Sequence, residues 1–81
     1  MGANFCPDPV KVEVVSNYVL QVSFSDGKVT QRDMSELLKF PAFRKLKNKA
    51  FFALVRIGAG GCLTWPGDID IAPEDFYYAD D

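Results

Sequence analysis

The chain has 81 residues, which is enough for one folded domain and too few for two. Hydrophobic residues make up 48% of it and aromatic residues 14%, which excludes a disordered chain because so much apolar surface has to be buried. The net charge is -2, so no overall positive charge favours nucleic acid, and the absence of histidine excludes Ser-His catalysis, Cys-His catalysis and His-ligated metal sites.

No apolar run approaches the roughly 18 residues that a membrane-spanning helix needs, and the first residues lack the pattern of a signal peptide. We therefore expect a cytoplasmic protein that makes no contact with a membrane. The two cysteines, Cys6 and Cys62, lie far apart in the sequence. This spacing favours reduced structural thiols over a disulfide framework or paired metal ligands, and no cofactor is expected.

Two alternating segments near the N-terminus predict a hairpin. Apolar and polar residues alternate from Val10 to Val14 and again from Tyr18 to Phe24, which is typical of half-buried strands. If both apolar sets face one core, Val14 lies opposite Tyr18, and three residues ending at Asn17 form the loop.

Asp26-Gly27 is the strongest turn signal in the chain. A type I′ turn needs positive φ at both central residues, and Asp-Gly adopts this conformation at low cost. Such a turn would set Phe24 opposite Val29 and lead into a third strand that ends near Arg32.

The middle of the chain predicts short helices. Asp33 has the pattern of a helix N-cap, with Glu36 three residues later as in a capping box. Pro41 cannot continue a helix, so a second short helical turn is expected over residues 42–47. The aromatic and branched residues in 51–57 then favour a strand.

The run Gly58-Ala59-Gly60-Gly61 has two interpretations. Glycine-rich loops bind phosphates when they lead from a strand into a helix that carries Lys-Ser or Lys-Thr. Here the glycines are followed by Cys62 to Trp65, which has the pattern of a strand. The run is therefore interpreted as a hairpin turn.

The C-terminal part predicts a corner, an edge strand and a helical turn. Trp65-Pro66-Gly67 ends the preceding strand, and acids alternate with isoleucines from Asp68 to Ile71, which is typical of an edge strand with its charged face exposed. Pro73 precedes two acids at a favourable first helical position. Phe76 and one of the two tyrosines after it are expected to complete the core.

These elements together predict a small single α+β domain, with antiparallel β hairpins, a short broken helical segment between them and a short C-terminal helical turn. The domain covers residues 10–78. Residues 1–9 contain two prolines and no periodic pattern, which predicts a flexible N-terminal arm, and residues 79–81 form an acidic tail.

Three motifs in this order resemble a known family. They are Tyr18-Val19-Leu20-Gln21-Val22-Ser23-Phe24-Ser25-Asp26-Gly27, Arg32-Asp33-Met34-Ser35-Glu36-Leu37-Leu38, and the Trp65-Pro66 corner with Asp68-Ile69-Asp70-Ile71-Ala72-Pro73-Glu74-Asp75-Phe76-Tyr77. From Val10 to Tyr78 the chain is similar to the small bacterial proteins called domain of unknown function 2442. The resemblance implies an antiparallel α+β fold, single-domain bacterial proteins that are sometimes fused to a helix-turn-helix module, and a gene neighbourhood that has prompted toxin-antitoxin proposals. It implies no catalytic residues.

Charge is segregated along the chain. Six basic residues and no acid lie in residues 39–56, whereas six acids and no basic residue lie in residues 66–81. The two blocks are either solvated charges that attract each other within the domain or a basic face for an acidic partner. The candidate basic patch consists of Arg44, Lys45, Lys47, Lys49 and Arg56.

A second candidate contact consists of the aromatic residues Trp65, Tyr77 and Tyr78. A thin domain with open sheet edges can present such rings, or a strand edge, to a partner protein. The alternative is that the same rings simply fill the core.

Asp68 and Asp70 are the strongest candidates for chemistry. On a strand they would point the same way, and with Glu74 or Asp75 they could bind a hard cation or act as an acid-base pair. They lack the loop spacing of a calcium site, and their alternation is that of solvent-facing strand positions. No metal ligand and no catalytic residue is therefore predicted.

The sequence favours a non-enzymatic binding module that engages a small partner protein and regulates it, in the manner of an antitoxin. The alternative is a nucleic-acid-associated regulator whose basic patch contacts phosphates, although no recognition helix or stacking platform accompanies that patch. A third possibility is an enzyme of unidentified activity that uses Asp68 and Asp70.

Overall fold

Residues 6–79 are described by a computed structural model, and they form two three-stranded antiparallel sheets joined by short helices. The first sheet has the order β1 (Pro9–Ser16), β2 (Val19–Phe24) and β3 (Val29–Asp33). Two 3-10 helices (Ser35–Lys39 and Pro41–Lys47) and helix α1 (Lys49–Phe52) follow. The second sheet has the order β4 (Arg56–Ile57), β5 (Leu63–Trp65) and β6 (Ile69–Ile71), and helix α2 (Glu74–Tyr77) comes last. The predicted α+β class is confirmed.

The described residues include only the end of the predicted arm 1–9 and the start of the predicted tail 79–81, because residues 1–5 and 80–81 lie outside them. The end of the arm packs on the domain. Cys6 is half-buried, Pro7 is buried, and the Asp8 carbonyl accepts a hydrogen bond of 2.8 Å from the Ser25 N–H.

The first hairpin keeps its apolar residues on one face through a bulge. The predicted pairing of Val14 with Tyr18 is wrong, because Val14 lies opposite Leu20 and the register shifts between Val14 and Ser16. The extra residue in β1 lets Val14 and Leu20 share the core face, although the connecting turn is shorter than expected. Leu20, Val22 and Phe24 are buried on that face.

The second turn of this sheet differs from the predicted type I′ turn. Positive φ occurs at Gly27 (94°) and not at Asp26, and the Gly27 N–H donates to the Phe24 carbonyl at 2.9 Å. This is the pattern of a type I turn that is closed by a left-handed glycine. Val29 therefore lies opposite Ser23 and not opposite Phe24.

The predicted break at Pro41 is confirmed, but the segments on both sides of it are 3-10 helices. The Asp33 carboxylate accepts hydrogen bonds from the Ser35 N–H and from the Ser35 hydroxyl. The predicted N-cap is nevertheless wrong, because Met34 occupies the N-cap position and no side chain caps this helix. The strand predicted over residues 51–57 is wrong. The Asn48 side chain accepts hydrogen bonds from the backbone of Ala50 and Phe51, which starts α1 and leaves only Arg56–Ile57 as strand.

The second sheet follows the sequence prediction closely. Gly58 to Gly61 turns the chain between β4 and β5, which confirms the hairpin turn. A Cβ atom on Gly58 would lie 2.8 Å from the Thr64 Cγ2 atom, so any other residue here would have to displace the Thr64 side chain. In the edge strand β6 the two isoleucines are buried and Asp70 is exposed, as predicted.

One aromatic series connects the two sheets. The ring of Tyr18 packs edge-on against Phe52 with centroids 5.4 Å apart, and Phe52 stacks on Trp65 at 5.9 Å. The Trp65 indole N–H donates to the Phe52 carbonyl at 2.9 Å, so its polar group is satisfied inside the core. Phe76, on the predicted C-terminal helical turn, is fully buried as well.

Candidate binding surface

The aromatic corner is mostly part of the core. Trp65 is only 3% exposed, and this burial removes it from the candidate contact residues. Tyr77 is half-buried and Tyr78 is 44% exposed. Of the three rings proposed as a contact, only Tyr78 presents a large surface to solvent. Trp65 and Tyr77 follow the alternative interpretation, in which the rings pack in or against the core.

Tyr77 fastens α2 to the turn between β2 and β3. Its hydroxyl donates to the Asp26 carboxylate, its ring packs edge-on against Phe24 at 4.9 Å, and the Lys28 ammonium lies 4.3 Å from the ring centroid. The hydrogen bond to Asp26 raises the pKa of Tyr77 to about 12. The same bond, followed by the bond from the Lys28 N–H, lowers the pKa of Asp26. The Tyr77 cluster is thus a structural contact, which the sequence did not reveal because its members are 51 residues apart.

The basic residues are exposed, and none of them forms an ion pair with another described residue. Within residues 6–79 the single salt bridge joins Lys11 to Glu13, so none of the described acids of the C-terminal block lies within 4.0 Å of a cation in residues 39–56. Attraction between the two blocks is therefore not realised as direct contacts among the described residues. The basic residues concerned are Lys39, Arg44, Lys45, Lys47, Lys49 and Arg56.

The structure divides the predicted basic patch into separate groups. Arg44 and Lys47 are three residues apart on a 3-10 helix, so they lie on the same side of it. The Lys45 ammonium lies 3.5 Å from the position of a Cβ atom on Gly67, beside the turn after β5. Lys49 turns toward the first hairpin, where its ammonium donates to the Asn17 side chain at 3.3 Å. These cations do not line one continuous groove.

Large apolar side chains are exposed within the same segment. Phe40 is 50% exposed and Leu54 is 54% exposed, and both lie between basic residues of the sequence. We call residues 39–56, with these two side chains and the six cations, the basic segment. The sequence prediction missed its apolar component, because Phe40 has the spacing of a core residue and only the break at Pro41 turns it outward.

Two concave regions of the surface are open to solvent. One, of about 480 Å³, lies between the first hairpin turn and the first 3-10 helix, with Asp33 and Lys49 in its wall. The smaller one, of about 280 Å³, lies at the corner after β5 and includes Arg56, Asp68 and Asp70.

The predicted geometry of the two acids is wrong. Asp68 lies in the turn before β6 with a φ of 63°, so it does not share a strand face with Asp70. Among the described residues no three cysteine or acidic side chains are close enough to hold a metal ion together.

The Cys6 thiol is not activated as a nucleophile. Both cysteines are free thiols, as the spacing predicted. Burial, followed by repulsion from Glu74, raises the pKa of Cys6 above its ordinary value of 9.0, so this thiol stays protonated at neutral pH.

The fold defines a small α+β protein with two antiparallel sheets around one core. The model of one protein family, described as protein of unknown function (DUF2442), matches residues 9–81. The chain therefore belongs to the DUF2442 family, and the resemblance seen in the sequence is confirmed. No curated protein and no solved structure is significantly similar to it. Among residues 6–79 no helix is long and apolar enough to cross a bilayer.

Proposed function

We propose that this protein is a non-enzymatic module that binds an acidic partner protein through the basic segment. One observation carries the proposal: cations that form no ion pair with any of residues 6–79 occur together with exposed large apolar side chains in residues 39–56. Protein interfaces combine buried apolar anchors with charges that steer and orient the partner. Binding would regulate the partner by covering its surface, which is the antitoxin-like role expected from the sequence.

The chemistry of the partner follows from these side chains. Phe40 and Leu54 need apolar surface to cover them, and the neighbouring cations need carboxylates. Since the cations point in different directions and Lys45 lies beside the acid-containing turn of Asp68, a partner surface fits better than the regular phosphate backbone of a duplex. We therefore favour a folded acidic protein over nucleic acid.

The test compares affinity-tagged variants as baits in host extract. Arg44→Glu with Lys47→Glu reverses the two cations that share one side of the 3-10 helix, and Phe40→Ser removes the apolar anchor. The matched controls are Arg44→Lys with Lys47→Arg, which keeps the charge, and Val29→Ser, which removes an equally exposed apolar residue outside the basic segment. The captured partner is then purified and its affinity is measured directly at low and high salt.

The proposal predicts an acidic protein that the wild type and both controls bind. The charge reversal and Phe40→Ser should each weaken binding about tenfold or more, and salt should reduce the effect of the charge reversal. Equal binding by all variants would contradict the proposal. Affinity for duplex DNA that falls steeply with salt and is insensitive to Phe40→Ser would instead support the nucleic-acid alternative.

A further inference from the structure

β1 is the longest strand and forms one edge of the first sheet. The direction of its backbone groups follows from β2. The Phe24 N–H donates to Lys28, toward β3, and the Ser25 N–H donates to Asp8, toward β1. Because these directions alternate along a strand, Gln21 and Ser23 bond to Glu13 and Lys11.

Val12 and Val14 consequently direct their N–H and C=O groups away from β2, and within residues 6–79 no other element makes a backbone hydrogen bond to them. Along this edge Val12 is half-buried against the core, and three other valines are exposed. Val10 is 61% exposed, Val14 39% and Val15 42%. A long edge strand with exposed valines is a template for pairing with another strand.

The other sheet edges offer less free backbone for pairing with another strand. Helix α2 packs against β3, where the Arg32 guanidinium donates to the Asp75 carbonyl at 3.0 Å. The edges β4 and β6 have only two and three residues. Strand β4 also lies beside β1, and the turn after it approaches Pro9, but no backbone hydrogen bond joins β4 to β1 within residues 6–79, and Val10, Val14 and Val15 remain exposed.

We propose that β1 pairs antiparallel with β1 of a second copy of this chain, around a two-fold axis at Val12. This arrangement sets Val12 opposite its own counterpart, with the outward N–H and C=O groups of both exchanging hydrogen bonds. The two sheets become one six-stranded sheet.

Charge complementarity selects this register. With the axis at Val12, Lys11 of each copy lies opposite Glu13 of the other in a non-hydrogen-bonded pair, where Cα atoms are about 4.5 Å apart and side chains are close. An axis at Lys11 or at Glu13 would set like charges against each other. Lys11 of one copy therefore faces Glu13 of the other only when the two-fold axis passes through Val12.

The ends of β1 limit the pairing to this short window. Register shifts occur between Pro9 and Lys11 and between Val14 and Ser16, and Pro9 has no N–H to donate. Since each copy has one such edge and the two-fold contact uses both, the assembly closes as a dimer and does not grow into a fibre.

The test uses two variants whose charges complement each other. In a dimer of Lys11→Glu, positions 11 and 13 are acidic in both copies. In a dimer of Glu13→Lys, the same two positions are basic in both copies. Sedimentation equilibrium from micromolar to millimolar concentration should give twice the mass of the chain for the wild type. Each variant alone should dimerise about tenfold or more weakly, and circular dichroism checks that it is folded.

Mixing the two variants should restore dimerisation, because acidic and basic positions then face each other across the axis while the Lys11–Glu13 ion pair within each chain stays lost. The Val12 and Val14 amide protons should exchange more slowly in the dimer. A wild type that stays monomeric at millimolar concentration would overturn the proposal, and so would variants that dimerise as tightly as the wild type. Separate variants that weaken the dimer without recovery on mixing would also overturn it.

Discussion

Thr30 carries a hydroxyl that has no hydrogen-bond partner among the described residues, although the residue is only 1% exposed. A buried unpaired hydroxyl costs about 1–3 kcal/mol. We therefore expect Thr30→Val to raise the free energy of unfolding by about 1 kcal/mol, as measured by urea denaturation. Thr64→Val, at a half-buried position where the hydroxyl donates to the Arg56 carbonyl at 3.4 Å, serves as the control and should not raise it. A loss of stability in Thr30→Val would show that the hydroxyl is satisfied.

The hydrogen bond from Tyr77 to Asp26 makes stability depend on pH at both extremes. Asp26 has a pKa below its ordinary value of 3.8, so its contribution is present above that pH and is lost as pH falls through the folded-state pKa. Tyr77 has a pKa raised from 10.0 to about 12, so its contribution is present below pH 10 and is lost as pH rises through about 12. The contact should be complete between about pH 5 and pH 9.

Titration of the tyrosines by NMR checks this contact. The Tyr77 phenol should titrate near pH 12 in the wild type, and Asp26→Ala should move its pKa back toward 10. Tyr78→Phe removes the neighbouring phenol hydroxyl and keeps the Asp26 acceptor, so it should leave most of the shift in place. A wild-type Tyr77 that titrates near pH 10 would contradict the contact.

At the level of single residues, the sequence predicts local conformation better than exposure. Gly27 and Pro41 act as expected because their backbone limits are intrinsic. The burial of Trp65 and the outward position of Phe40 depend on how distant segments pack, and no local pattern contains that information. The Tyr77 contact with Asp26 could not be predicted for the same reason.

Asn48 decides the structure of the segment that sequence analysis assigned to a strand. Its side chain accepts hydrogen bonds from the Ala50 and Phe51 N–H groups, so residues rich in β propensity form a helical turn. Asn48→Ala should lower the free energy of unfolding by about 1 kcal/mol. Asn48→Asp, which keeps an acceptor at the cap, is the matched control. Thermal unfolding of the three proteins measures the difference, and equal stability of Asn48→Ala and wild type would contradict a capping role.

Among the elements, those with alternating residues and a defined turn were predicted correctly. The strands of the first sheet and the β5–β6 pair follow the period of two. The registers of the first two turns were wrong, because a bulge and a type I turn each add one residue that the alternation cannot reveal. The helical segment was correctly placed between the sheets, but its 3-10 character was not foreseen.

At the scale of the whole molecule, the cations of the basic segment and core residues such as Leu46 and Phe52 come from the same part of the chain but differ in exposure. The core takes side chains from both sheets, α2 and the middle helices, while the cations of the basic segment stay in solvent without ion pairs among residues 6–79. The segregation of charge was visible in the sequence. The short helices and the turn at Asn48 make these cations point in different directions. This property depends on the fold, so the sequence alone could not predict it.

The position of the single tryptophan has an optical consequence. Trp65 is the only indole in the chain, and it lies where the second sheet meets α1, stacked on Phe52. Its fluorescence therefore reports on that junction without any label. A blue-shifted emission belongs to the folded protein, and a shift to longer wavelength reveals that the second sheet has separated from α1.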